Sequence, residues 1–275
     1  MKAIVVEGGA MRGVFASGVI DAFLEKDYNP FDFAIGASAG VSNLVSYLSE
    51  QSGRNIDVIC NLATSNYFFS PFRFLKGGDL IDVKWLVEHS EQYYPINSLN
   101  LFSNIPLIAV VSCVKSGKAN YIKINSDNLY KVIEATSALP MLYRKPPILS
   151  NKVYVDGGIV DSIPIYEAYR MGARDITVIL SHPMGYIKNK VRMKWLMRFL
   201  FSNSPKVLDA IFNRHENYNK SLSFIKNPPK DVKVHVIYPP SNFRVRRFTR
   251  SIKYLMEGYN MGLESGISYL KKRGY

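Results

Sequence analysis

The sequence predicts an α/β fold, a three-layer α/β/α sandwich on a mostly parallel central sheet. Short apolar runs that read as buried strands alternate along the chain with stretches of helical periodicity, the pattern of strands joined by crossover helices. Two of the strand-to-helix junctions are glycine-rich, Gly8-Gly9-Ala10-Met11-Arg12-Gly13 and Gly36-Ala37-Ser38-Ala39-Gly40. No repeat, low-complexity tract or long linker divides the 275 residues, so one domain over residues 1–275 is expected.

Residues 3–6 are uniformly apolar and read as a buried strand. A helix over 13–26 follows, with Val14, Val19, Ala22 and Phe23 inward. Residues 33–35 form the next strand and 39–50 a helix that repeats Val41, Leu44, Val45 and Leu48. Residues 56–63 and 83–91 are helical in pattern, with a turn at Lys76-Gly77-Gly78-Asp79 between them. A buried strand over 107–114 turns at Lys115-Ser116-Gly117-Lys118 into a second, 120–124. Asp127 is expected to cap a helix that runs to Ser137, and Pro140 to end it. Then come a short strand at 154–155, a helix over 166–171 stopped by Gly172, and strands at 176–180 and 232–237. A closing helix repeats Phe248, Ile252, Leu255, Tyr259, Leu263, Ile267 and Leu270, a stripe most simply read as core.

A Gly-x-Ser-x-Gly between an apolar strand and a helix forces its serine onto a sharp turn with the hydroxyl exposed. Side chains at Gly36 and Gly40 would collide as strand and helix approach each other, so Ser38 is the candidate nucleophile. The earlier loop, at Gly8, Gly9 and Ala10, can aim backbone N–H groups at the oxyanion such a serine creates on a carbonyl. The alternative of dinucleotide binding there is weak, because Ala10 breaks Gly-x-Gly-x-x-Gly.

The serine needs a base. Only His89, His182, His215 and His235 occur, none at a strand end punctuated by glycine. A Ser38–Asp156–His235 order matches the chain order of α/β-hydrolase triads and stays open. Asp156 fits better without histidine. It follows Val153-Tyr154-Val155 and precedes Gly157-Gly158, so its carboxylate falls at a strand's carboxyl end, where parallel sheets bind ligands. The plain alternative is an Asp-Gly turn. Asp161, mid-loop before Ile163-Pro164, competes but is expected to bond the local backbone.

With these residues in place, the chain resembles the patatin-like phospholipases. Their pattern is a Gly-Gly-Gly-x-(Arg/Lys)-Gly loop, then Gly-x-Ser-x-Gly, then Asp-Gly-(Gly/Ala). Here these read GGAMRG at 8–13, GASAG at 36–40 and DGG at 156–158, in order within residues 1–180. The run Ala135-Thr136-Ser137-Ala138-Leu139-Pro140 also looks familial. The resemblance implies a Ser38–Asp156 dyad, an oxyanion loop of Gly8, Gly9, Ala10, Arg12 and Gly13, and activity as a phospholipase A or lysophospholipase with no metal or cofactor. Arg12 is equally read as attracting a headgroup phosphate or neutralising a nearby carboxylate. Ala10 departs from the family's third glycine, keeping the N–H while penalising positive φ.

Composition narrows the setting. Hydrophobic residues make up 47% and charged residues 21%, ordinary globular values. No apolar run is long enough to span a membrane. Cys60 and Cys113 stand apart without metal-ligand spacing, so a cytosolic compartment is expected, with peripheral contact to the inner membrane face. The net charge of +13 favours anionic partners and concentrates in residues 181–275. No carboxylate lies between Asp175 and Asp209, whereas Lys188, Lys190, Arg192, Lys194 and Arg198 do, interleaved with Trp195, Leu196 and Phe199. With Arg246 and Arg247, these cations suggest docking on an anionic membrane surface. The plain alternative is a helix packed on the core. Nucleic acid is disfavoured, since no recognised binding motif accompanies the cations. Oligomeric state is not legible. The rivals to a lipid hydrolase are a histidine-assisted esterase of soluble esters and a non-catalytic basic protein, binding membrane or nucleic acid, on a hydrolase fold.

Overall fold

A computed structural model describes residues 1–275. Its strands are β1 (Lys2–Val6), β2 (Phe33–Ala37), β3 (Leu107–Cys113), β4 (Ala119–Lys123), β5 (Ile148–Leu149), β6 (Lys152–Asp156), β7 (Asp175–Ile179) and β8 (Lys233–Ile237). The helices are α1 (Val14–Leu24), α2 (Ala39–Leu48), α3 (Arg54–Asp57), α4 (Pro71–Leu75), α5 (Val83–Tyr93), α6 (Ser98–Ser103), α7 (Leu129–Ser137), α8 (Ile165–Arg170), α9 (Lys194–Leu200), α10 (Pro205–Lys226) and α11 (Ile252–Lys271). Helix α3 runs on into a π-helical segment, Val58–Ala63.

Strands β3, β2, β1, β7 and β8 pair in parallel in that order, and β4 and β6 join β3 antiparallel. The alternation of strand side chains then builds the layers. Ile4 and Val6 of β1 point into a cluster with Phe15, Phe23 and Leu44 of α1 and α2. Ala3 and Val5 point the other way, against Ile165 of α8 and Tyr218 and Phe224 of α10. The expected three-layer architecture is therefore the observed one.

Helix α1 is apolar almost all round and buried from Val14 to Phe23, as a helix covered on both sides must be. Its outer cover is α11. The closing helix was expected to face the core with its large apolar stripe, but the buried line is Leu255, Gly258, Gly262, Gly266 and Leu270. Ile252 is exposed, and Phe248 precedes the helix. Glycines win because the two backbones nearly touch: a Cβ on Gly262 would lie 2.0 Å from the Phe15 carbonyl oxygen.

Three further expectations are corrected. Asp127 does not cap α7; Asn128 holds the N-cap position, and the Asn125 side chain accepts the Asp127 and Asn128 N–H groups. The basic stretch from Lys188 is helical only over Lys194–Leu200. Helix α10, 22 residues long, was not foreseen at all.

Gly262→Ala is expected to lower stability by about 3 kcal/mol, because backbone rather than a flexible side chain must yield. Thermal unfolding of the variant checks this, and an unchanged midpoint would contradict the close packing.

Candidate active site

Strand β3 positions both candidate catalytic groups. Its residues Leu107 to Val110 pair with Ala34 to Ala37 of β2, and Val111 to Cys113 pair with Asp156 to Tyr154 of β6. The opposite edge of β3 is occupied by β4. Strands β2 and β6 thus lie end to end along one edge, running toward each other. Ser38 leaves the end of β2 where Asp156 closes β6. Gly157 then passes so close to β3 that a Cβ there would sit 2.0 Å from the Val110 carbonyl oxygen.

Ser38 has φ 51° and ψ −126°, a strained conformation for a residue with a Cβ, costing on the order of 1–3 kcal/mol. Its N–H is held by the Thr136 hydroxyl at 2.8 Å, which in turn donates to the Val110 carbonyl at 2.6 Å. Gly40 is required by proximity, since a Cβ would lie 2.4 Å from the Val6 carbonyl oxygen. Asn43 of α2 donates to the Gly13 carbonyl at 3.0 Å and accepts from Ser17 and Asn55, tying the starts of α1 and α2 together. Thr136 lay in the run noted as familial, but Asn43 carried no sequence signal.

Asp156 is buried and accepts the Gly158 N–H at 2.6 Å. Burial pushes its carboxyl above the usual range. Arg214, the Gly158 N–H, Arg247 and the Ser38 hydroxyl oppose that rise. The Ser38 hydroxyl lies close enough to the carboxylate to favour its charged form by hydrogen bonding, the contact a proton transfer between them requires. Asp161 is occupied elsewhere, by the Tyr121 hydroxyl at 2.9 Å and the Ile163 N–H.

The glycine loop divides its expected donors. The Gly8 N–H is bonded to the Ser162 carbonyl at 3.1 Å, so the expectation that it serves an oxyanion is corrected. Gly9 and Ala10 carry N–H groups with no partner in the protein. Ala10 adopts φ 49°, the positive value that its alanine penalises. Gly13 packs against α2, where a Cβ would meet the Ala39 Cβ at 2.8 Å.

An apolar cavity opens at Ser38 and Ala10, with 18 of its 26 lining residues hydrophobic, among them Val45, Ile59, Phe69, Leu86 and Leu139. Arg247 is among its lining residues. Beside Ser38 and Asp156 gather Arg12, Lys188, Arg214 and Arg247, with the carboxylate Glu7. Burial and the neighbouring cations push Lys188 down to about 7 and Arg214 to about 10. The expectation that Lys188 and Arg247 belong to an outer docking surface is therefore corrected: they are half-buried and turned toward the site.

No histidine is hydrogen-bonded to Ser38 or Asp156. His235 of β8 pairs with Asp175 at 3.1 Å, and Asp175 opens β7 at the sheet edge opposite Ser38. His182 follows β7 on the right edge, but burial and Arg12 push it down to about 3, and it stacks on Tyr186. His89 and His215 bond carbonyls of their own helices. The Ser38–Asp156–His235 triad is thus not assembled.

A family model described as patatin-like phospholipase matches residues 4–169, and a model for a domain of unknown function matches 204–273. The chain is 35% identical over 277 residues to the uncharacterized protein YjjU of Escherichia coli (strain K12), covering 99% of this chain and 78% of that one. Among solved structures, VipD from Legionella pneumophila aligns with 98% of this chain and 67% of its own, at 13% identity and a TM-score of 0.49.

Thr136→Val keeps the volume but strands the Ser38 N–H and the Val110 carbonyl. It is expected to cost about 1–3 kcal/mol and to slow covalent labelling of Ser38 by a fluorophosphonate. Denaturant melts and labelling rates equal to wild type would show that the elbow does not depend on this hydroxyl.

Proposed function

Because the chain belongs to the patatin-like phospholipase family, we propose that it is a serine lipid acyl hydrolase of the phospholipase A or lysophospholipase type, working through Ser38 and Asp156. The observation that carries this reading is the end-to-end meeting of β2 and β6 on β3, which sets Ser38 against Asp156 beside two free N–H groups. The apolar cavity at Ser38 supports an acyl chain as the occupant.

In this reading the Ser38 hydroxyl attacks the ester carbonyl while Asp156 takes its proton. The N–H groups of Gly9 and Ala10 receive the oxyanion, each worth roughly 10²–10³ in rate. Collapse breaks the bond to the alcohol, which leaves with the proton from Asp156. Asp156 then deprotonates a water that hydrolyses the acyl-serine, releasing the fatty acid and restoring Ser38. Burial suits Asp156 to this task, because a carboxylate with a raised pKa is a stronger base. The whole chain acts as one unit, since Arg214 and Arg247 reach the site from the C-terminal third.

Docking on anionic membrane is supported by α9, none of whose residues is buried. Trp195 and Phe199 are 72% and 76% exposed, beside the exposed Lys190, Arg192, Lys194 and Arg198. Such a face can sink its aromatics among headgroups while its cations meet phosphates. Arg246 is exposed as well. No helix is long and apolar enough to cross a membrane.

Fatty-acid release from mixed anionic phospholipid vesicles is the direct test. Wild type should release fatty acid, Ser38→Ala and Asp156→Ala at least ~10³-fold less, and Trp195→Ala less on vesicles than on a soluble short-chain ester. Silence of wild type on both substrates, without fluorophosphonate labelling, would leave the non-catalytic binding protein.

The acid limb gives a second test. Asp156 must be ionised to act, so kcat/KM falls as pH drops through its raised pKa, and the limb should lie above the ordinary carboxylate value of 3.8. Arg214 is the largest influence holding that pKa down, so Arg214→Gln should move the limb to higher pH. A limb that stays put would remove Asp156 as the base.

A further inference from the structure

Four cations converge on the catalytic edge from four separate segments: Arg12 after β1, Lys188 after β7, Arg214 on α10 and Arg247 before α11. Two carboxylates face them, and both are already engaged. Glu7 accepts the Ser181 N–H at 2.7 Å and the Tyr218 hydroxyl at 2.9 Å, and Asp156 accepts the Gly158 N–H. Arg214 spends its Nε–H on the Gly158 carbonyl at 2.6 Å, and Lys188 lies 4.4 Å from the centre of the Tyr218 ring. Neither contact supplies negative charge.

Cations drawn partly out of water are costly unless paired, and here the four half-buried ones outnumber their partners. Polar atoms in the same place are also unmatched: Arg12 Nε, Ser181 Oγ and His182 Nε2 are buried without a partner in the protein. The Arg12 Nε–H and the Ser181 hydroxyl can both donate, which is what an anion's oxygens require. A Cβ on Gly9 would lie 2.8 Å from Ser181 Oγ, so this cluster adjoins the loop bearing the free N–H groups.

From these groups we infer that Arg12, Lys188, Arg214 and Arg247 form a subsite for the phosphate of the substrate, matched to a phosphomonoester headgroup such as that of phosphatidic or lysophosphatidic acid. The inference rests on Ser38 being the nucleophile. Arg247 borders the apolar cavity, whereas Arg12, Lys188 and Arg214 do not line it. An acyl chain in the cavity and a phosphate among the cations would therefore occupy adjoining spaces that meet at Arg247, near Ser38, as the two ends of one lipid require. With Lys188 pushed down to about 7, the four cations exceed the two carboxylates by one to two charges at neutral pH, and by two once an arriving phosphate favours the charged lysine. That suits a phosphomonoester, which carries about −1.5 to −2, better than a singly charged diester. A choline headgroup would bring another cation to this field. The subsite also gives the C-terminal third a role, since Arg214 and Arg247 both fall within residues 204–273.

The test compares the full chain with Arg247→Gln and Lys188→Met on phosphatidic acid, phosphatidylcholine and a neutral short-chain ester, the lipids in the same nonionic detergent micelles. Wild type should prefer phosphatidic acid over phosphatidylcholine by tenfold or more in kcat/KM. Each variant should lose most of that preference through KM, relative to the neutral ester. Thermal melts identify a variant that fails to fold, and the other then decides. Equal use of both lipids by wild type, or a preference that survives both substitutions, overturns the inference. So does calorimetric binding of glycerol 3-phosphate or inorganic phosphate without any lipid preference, which would assign the site to a free phosphate. If no ester is cleaved and Ser38 does not label, the catalytic reading has failed. Micelle binding then decides the subsite: capture of phosphatidic acid that is lost in the variants upholds it, and no capture overturns it.

Discussion

One edge of β3 carries two strands, and everything at the site follows from that register. Strand β2 uses the edge up to Val110, and β6 takes over at Val111 from the opposite direction. A slip of one residue in either pairing would move its terminal group by about 3.3 Å and turn every side chain to the other face. The surrounding contacts hold the register at its most sensitive point. The Val110 carbonyl receives the Thr136 hydroxyl while Gly157 passes over it, and the Asp156 N–H is bonded to the Ala138 carbonyl at 2.9 Å. The strain at Ser38 is held by the bond from its buried N–H to Thr136, which relaxation would break and which the Thr136–Val110 bond keeps in place.

The glycines made the centre of this arrangement readable from sequence. At Gly40 and Gly157 no other residue fits between backbone segments, and at Gly36 the contact is tight, so the constraint is written at the position where it acts. Predominantly apolar strands such as β1, β3 and β7 were readable for a related reason: burial on both faces leaves few polar positions, Ser112 and Thr177 being the buried exceptions. Helix α10 was not, because it is half-covered and polar in composition. Its buried residues fall in two short groups, Val207 with Ala210 and Tyr218 with Ser221 and Phe224, and the gap between them together with a serine in the line breaks the helical pattern. The roles of Arg214 and Lys188 were hidden along with it. A cation's direction is set by tertiary packing, and the run of charges around Lys188 holds inward and outward members alike.

The same cations bear on the proposed base, because an aspartate and a histidine respond to them in opposite senses. Burial, and then Arg12, Lys188, Arg247 and Arg214, hold an imidazole here neutral and weakly basic, as His182 is. A carboxylate responds in the opposite sense. Burial raises the pKa of Asp156 and the cations lower it again, so its basicity is set by a balance that the protein can adjust through either term. A histidine base in this field would need a second buried carboxylate to restore its affinity for a proton, whereas Asp156 needs only the arginines already present.

Holding that many charges out of water requires a rigid frame, and the C-terminal third supplies it along with the charges. Strand β8 extends the sheet beyond β7, α10 covers one face with Tyr218 and Phe224, and α11 clamps α1 through its glycine line. Arg214 projects from the covering helix and Arg247 from the loop that enters the clamp, where its carbonyl also accepts the Met11 N–H at 3.4 Å. The glycine loop that bears the free Gly9 and Ala10 N–H groups is thereby tied to the segment that bears the cations. Loosening the α1–α11 contact would release both at once, so the electrostatics of the site and the packing of the helical layer form a single constraint.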